Sequence, residues 1–277
     1  MAFTIIFYIF FIGTAIGSFL NVLIDRLPKD KSIMGRSHCD FCRRKLSAID
    51  LIPVFSFLFL KGKCRKCKKK LSWQYPGIEL LTGIVFVLVY VILAPNVIVQ
   101  NQILDASRSG GTYQNDVFSL LFTLSIASCL IVIFFTDVKY QIIPDQMQIA
   151  MFVFSFLLQI VIIKNSYLVA LLLVVGSGIV VMIPILLIYL LTKGRGMGFG
   201  DVKIAFNMGI LLGIKSGLLA LYFGFIFGAV YSIVLIILKK KKMKSKVAFG
   251  PFLILGILII VVFKEVIYGW TMRMYGI

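Results

Sequence analysis

The sequence predicts an all-α polytopic membrane protein, and three observations carry that prediction. Hydrophobic residues make up 60% of the 277 positions and the mean hydropathy is +1.03, which excludes an ordinary soluble domain. Apolar runs near the roughly 20 residues that cross a bilayer recur from residue 3 to residue 268. Lys and Arg gather in alternate loops between those runs, as they do in chains held to a membrane by several helices.

Breaks at charges, Pro and Gly place about eight transmembrane helices, at 3–24, 78–99, 117–136, 147–163, 166–191, 203–214, 217–238 and 251–268. The first has no basic leader region and no Ala-x-Ala after it, so it reads as a retained span and not a cleaved signal. Residues 25–77 follow as a small domain between the first two spans. A segment this short buries little core without a staple. Residues 100–116, with Gly110-Gly111, read as a flexible outer loop. The fourth span is headed by Pro144-Asp145, and a glycine-rich loop at 194–200 leads into the sixth. At 203–214 the sixth is too short for a straight crossing, so it either extends further or is partly re-entrant. No repeat of fixed period is evident, and the lysine block 239–242 is the one biased tract. The expected division is 1–24, the first transmembrane helix; 25–77, a four-cysteine domain; and 78–277, a membrane-embedded catalytic domain.

The net charge is +18, and its placement decides what it means. With 24 Lys and Arg on one side of the spans and five on the other, the rich side is cytoplasmic, the N-terminus faces outward and residues 25–77 face inward. This distribution points to anionic lipids as the partner, and not to nucleic acid.

Within 25–77, Cys39, Cys42, Cys64 and Cys67 form two CxxC pairs with 21 residues between them, the layout of a four-thiolate zinc site. Two disulfides, disfavoured by a reducing compartment, or four free thiols are the alternatives. Four thiolates leave no open coordination position, so the zinc is structural. His38 reads as a solvated loop residue and Cys129, within a span, as a packing residue.

Only 11 acidic residues exist, so those beside apolar spans are informative. Asp137 closes the third span and Asp201 opens the sixth, both on the cytoplasmic side. Two such carboxylates that meet can share a proton, one activating water while the other protonates a carbonyl, which is aspartyl protease chemistry. The bland alternative is helix capping. It suits Asp145 after Pro144, and it is open to Asp201. It does not suit Asp137, whose carboxylate would meet the negative end of a helix dipole; by the same argument Asp137 is expected to be the more readily protonated member. The glycines at 194, 196, 198 and 200 lack the strand and the Lys of a nucleotide loop, and are read as letting backbone approach a bound peptide.

These residues resemble the prepilin peptidases, or type IV leader peptidases, of the GxGD aspartyl protease group. The matching pieces are 17–28 (GSFLNVLIDRLP), the two CxxC pairs, 75–82 (YPGIELLT), Asp137 with Ile143-Pro144-Asp145, and 198–203 (GFGDVK). The residue after the first Cys, often proline in such proteins, is Asp40 here. The resemblance implies an eight-span enzyme of the bacterial inner membrane with Asp137 and Asp201 catalytic. Gly198, Gly200, Asp145, Glu79 and Lys203 are implied as substrate or loop support. Its substrates would be prepilin or pseudopilin precursors, cut after a short basic leader. Many members also N-methylate the new terminus with S-adenosylmethionine, for which Glu79 is a candidate amine-binding group; a salt bridge from Glu79 to the basic domain is the equal alternative. A transporter with a carboxylate ion path and a non-enzymatic zinc adaptor are the other readings. A transporter would place its carboxylates near mid-span, and an adaptor would tolerate their loss.

Overall fold

A computed structural model describes residues 2–39, 41–103, 111–162, 167–239 and 247–275. Among them the chain forms eight α-helices: α1 Ala2–Arg26, α2 Phe55–Phe59, α3 Gln74–Ile103, α4 Gly111–Tyr140, α5 Asp145–Ile162, α6 Tyr167–Leu191, α7 Phe199–Ile237 and α8 Gly250–Tyr275. Six of these are long and apolar enough to cross a membrane, and α8 adds a shorter apolar stretch, Gly250–Phe263. Each of the eight segments read from the sequence falls on one of these helices, two of them sharing α7. Residues 100–103 and 111–116 are helical where a loop is expected, because Gln, Asn, Thr and Tyr continue a helix at modest cost. Residues 104–110, Asp40 and most of the lysine block lie outside the described residues.

The chain divides into two units, Met1–Val132 and Ile133–Ile277. In the first, α1 and α3 lie against each other through small residues. A Cβ on Gly13 would come within 2.8 Å of the Gly83 Cα, and one on Gly17 within 2.8 Å of the Glu79 Cα. Gly13 and Gly17 are spaced as GxxxG, the pattern that lets membrane helices approach backbone to backbone. Asn21, one turn further along α1, donates to the Tyr75 carbonyl of α3 at 3.1 Å.

The four-cysteine region contains two copies of one turn, offset by 25 residues. The Cys39 N–H donates to Arg44 O and the Cys64 N–H to Lys69 O; the Arg43 N–H donates to Cys39 O and the Lys68 N–H to Cys64 O. Isolated bridges His38↔Lys45 and Lys63↔Lys70 close the two loops. Arg43 and Lys68 share positive φ, 53° and 57°. The expectation of no internal repeat is therefore corrected. Residues 39–46 (CDFCRRKL) and 64–71 (CRKCKKKL) carry the period openly, but two short copies escape a search for solenoid-like arrays.

In the second unit α7 is not one straight helix. Gly213 has φ 77° and ψ 178°, and a Cβ on Gly217 would lie 3.5 Å from the Gly209 Cα. Eight helical residues should span about 12 Å, so the chain reverses at Gly213 and α7 is a hairpin of two arms. The carbonyls freed at the reversal are met from outside: Gln159 Nε2 donates to Ile210 O (2.9 Å) and Leu211 O (3.3 Å), and Ser177 Oγ to Gly209 O (2.7 Å). Irregular backbone at membrane depth persists only when such partners exist.

Candidate active site

Asp137 lies in the last turn of α4, 4% exposed. The helix stops just beyond it: Gln141 takes φ 54° and its N–H caps Asp137 O at 2.9 Å, and Pro144 bars continuation. Asp201 is the third residue of α7, 6% exposed. Its Oδ2 accepts the Gly198 N–H at 3.1 Å, the reach-back of a capping box. Asp201 therefore supplies the second half of the cap and is not itself the N-cap.

Asp137 has an equivalent bond: its Oδ2 accepts the Gly250 N–H at 2.9 Å. Gly250 opens α8, and a Cβ there would fall 2.7 Å from Asp137 Oδ2 and 3.5 Å from Ile204 Cδ1, one turn along α7 from Asp201. The structure thus brings together the end of α4 and the starts of α7 and α8. Each carboxylate receives one main-chain N–H, and Gly250 stands between Asp137 and the stretch of α7 one turn past Asp201. With a helix start now beside Asp137 as well, the dipole asymmetry expected between the two loses its basis.

Gly250 was not legible as a site residue, since its contribution is an N–H and a missing side chain. The one available signal was Gly-Pro at 250–251, which marks a helix start without saying what it faces.

The supporting residues divide. Gly198 has φ −79° and ψ 153°, open to any residue, so its N–H matters more than its flexibility. Gly200 is needed for close approach, since a Cβ would meet Ile143 Cδ1 at 2.9 Å. The neighbour that needs this glycine is Ile143, in the loop between α4 and α5. Asp145 is corrected: it is the first residue of α5, not its cap, and its exposed Oδ1 accepts from Lys203 Nζ at 2.6 Å. That pair ties α5 to the first turn of α7, with Lys203 Nζ also 5.3 Å from the Phe199 ring centre.

Glu79 belongs to the first unit. It is 8% exposed on α3, and its Oε2 accepts the Val54 N–H at 2.7 Å. Close by in register, the buried Asn21 keeps an Oδ1 with no hydrogen-bond partner. Also in this unit, the sulfurs of Cys39, Cys42, Cys64 and Cys67 all lie within 4.8 Å of one another, with Cys39 Sγ 3.9 Å from Cys67 Sγ. Tetrahedral zinc with Zn–S near 2.3 Å requires S···S of about 3.8 Å, so the cluster fits the ion. The Cys67 and Lys66 N–H groups hold the Cys64 thiol down at about 6, whereas burial and the three neighbouring sulfurs push Cys67 up to about 11, a crowding of negative charge that a bound cation would relieve. His38 stands outside this set and Cys129 is buried at 5% exposure, as expected for a packing residue.

Residues 11–93 match the bacterial peptidase A24 N-terminal domain, which covers Glu79 and the cysteines, and residues 124–233 match the type IV leader peptidase family, which covers Asp137 and Asp201. Proteins named prepilin leader peptidase/N-methyltransferase are similar over most of their length. The one from Bacillus subtilis (strain 168) is 28% identical over 96% of this chain and 97% of its own. That from Klebsiella pneumoniae is 30% identical over 76% and 86%, and that from Aeromonas salmonicida (strain A449) 27% over 95% and 92%. No solved structure gives a significant match. With both halves of the chain matched in order, and its helices and buried acids laid out as described, the chain belongs to the prepilin leader peptidase/N-methyltransferase family and is a multi-pass bacterial membrane peptidase of that family.

Proposed function

We propose that this enzyme removes the basic leader from prepilin or pseudopilin precursors at the cytoplasmic edge of the inner membrane, using Asp137 and Asp201 as one catalytic pair. The observation that carries the proposal is two buried carboxylates where the end of α4 meets the starts of α7 and α8, each with one oxygen fixed by a main-chain N–H. One carboxylate takes a proton from water as the water oxygen attacks the scissile carbonyl carbon, and the other, protonated, gives its proton to the carbonyl oxygen. Collapse of the tetrahedral intermediate breaks the C–N bond: the departing amine takes the proton that the first carboxylate removed from water, and a hydroxyl of the intermediate returns its proton to the second carboxylate as the C=O bond re-forms. Two acids in one low-dielectric site resist double ionisation, which keeps the one shared proton this cycle needs.

The 24-to-five distribution of Lys and Arg supports an outward N-terminus and an inward residue 25–77 segment. That side meets anionic headgroups, an attraction of about 1 kcal/mol per basic residue near the surface. A basic leader gains nothing from docking on so basic a domain, so it docks elsewhere. Zinc held by Cys39, Cys42, Cys64 and Cys67 would supply a cross-link in place of a hydrophobic core. For N-methylation, S-adenosylmethionine supplies the methyl group when bound. The Glu79 carboxylate and the unpartnered Asn21 Oδ1 are acceptors suited to hold the product's terminal amine.

Co-expression with a pilin-like precursor tests both activities. Asp137→Asn and Asp201→Asn should each abolish leader removal at unchanged membrane levels. Glu79→Gln should still cleave but yield product lacking the N-methyl group by mass spectrometry. Cleavage surviving in either aspartate variant contradicts the pair, and full methylation by Glu79→Gln contradicts its role.

A further inference from the structure

Residues 51–60 (LIPVFSFLFL) form an uncharged apolar run inside the segment read from charge as cytoplasmic. At about ten residues it is too short to span, and its length matches re-entrant or interfacial segments. Its position in the first unit fixes its depth. The Val54 N–H donates to Glu79, which faces Gly17 of α1. Gly17 lies nine residues inside Arg26, a helical distance of about 13 Å. The Phe55 ring stacks on Phe11, further still along α1, with centroids 6.4 Å apart and planes 9° from parallel.

The backbone is prepared for a water-free setting. The N–H groups of Phe55, Ser56, Leu58, Leu60, Lys61 and Gly62 donate to Pro53, Ile52, Val54, Ser56, Leu58 and Phe57 carbonyls respectively, within the segment itself. Val54 takes φ 61°, a costly conformation for a β-branched residue, and in it sends its N–H to the buried carboxylate. Such internal satisfaction is what hydrocarbon demands of a non-spanning segment. Outward, the run presents Ile52, Phe55, Leu58 and Phe59, the last 83% exposed. Lys61 and Lys63 follow at once, and Trp73, packed 4.9 Å from Phe57, stands at the start of α3 as an interfacial aromatic would.

We infer that residues 51–60 are a re-entrant element that enters the hydrocarbon region from the cytoplasmic side beside α1 and α3, with Leu58 and Phe59 in contact with lipid acyl chains. The segment is held at its tip by the Val54 to Glu79 hydrogen bond. It divides residues 25–77 into a membrane-inserted hairpin and a water-facing zinc module. The inference rests on the apolar spans and not on the catalytic pair, so it stands or falls separately from the peptidase reading.

The test uses the full-length protein in vesicles of phosphatidylcholine and phosphatidylglycerol. Trp73 and Trp270 are replaced by Phe, and one tryptophan is introduced as Phe59→Trp, as Leu58→Trp or, as a water-facing control, Phe41→Trp. An unchanged Tm in detergent and a single symmetric elution peak show that each variant is folded. Brominated acyl chains should quench the tryptophans at 58 and 59 at least about threefold more than the one at 41, with emission shifted to the blue. Quenching and emission equal to the control at both positions would overturn the inference, as would strong protection of both from bromine by a bound protein that must be stripped away before quenching appears.

Discussion

At the scale of single residues, the second oxygen-holding donor of the acid pair is a glycine. Gly250 gives Asp137 its only described main-chain donor to the carboxylate and has no room for a methyl group, since a Cβ would sit 2.7 Å from Oδ2. Gly250→Ala should therefore displace the carboxylate at a strain of about 1–3 kcal/mol. The expected result is a drop in kcat of roughly 5- to 150-fold with KM little changed, measured by precursor cleavage in proteoliposomes. An unchanged kcat would show that Asp137 is positioned by other contacts. Cys39→Ser and Cys64→Ser each remove one thiolate from a four-ligand site, so metal content should fall from about one zinc per chain toward zero in either variant. Limited proteolysis should then open residues 25–77, and retained zinc would contradict the site. At this scale the acids and cysteines were legible because an ionisable group beside hydrocarbon and a doubled CxxC are side-chain signals. Gly250 was hidden because a main-chain donor leaves no signature, and Asp145 misled because a carboxylate after proline looks like a cap until its partner, Lys203, is seen.

Among the helices, the device that shapes the second unit is the reversal of α7 at Gly213. Its open carbonyls are held by Gln159 and Ser177, so Gln159→Leu should leave two of them without their side-chain donor and cost about 1–3 kcal/mol. A lowered Tm in detergent is the expected readout, with the zinc content of the first unit unaffected; an unchanged Tm would mean the reversal needs no support from α5. Gly17→Val should force α1 from α3, because the glycine Cα already lies against backbone. That variant is expected to lose methylation and accumulate poorly, more so than Leu80→Val on the exposed face of α3. The apolar periodicity placed these helices well, yet it read the reversal as a loop near Lys215. The break it placed at 215–216 lies two residues past Gly213, because Lys215 is a side-chain signal and the glycine's backbone conformation is not.

For the whole molecule, composition and the sidedness of charge were enough for the class, and the order of motifs was enough for the family. What they could not supply was the fine division of the chain, because apolar length does not distinguish a span, one arm of a hairpin and a short re-entrant segment. The proposed function rests on convergence: the end of α4 meets the start of α8, 113 residues further along the chain, beside the first turns of α7, so that residues remote in sequence line one buried environment. Two acids coupled there titrate as a pair, so the cleavage rate should show a bell-shaped pH profile with two apparent pKa values; a flat profile from acidic to neutral pH would exclude that coupling. The most direct measurement is single-turnover cleavage of a precursor by wild type, Asp137→Asn, Asp201→Asn and the double variant, each reconstituted at equal levels. Groups that act as one unit predict a loss of about a thousandfold or more in either single variant and no further loss in the double. Losses that multiply in the double variant, or a single variant keeping more than about a tenth of the activity, would contradict a shared catalytic pair.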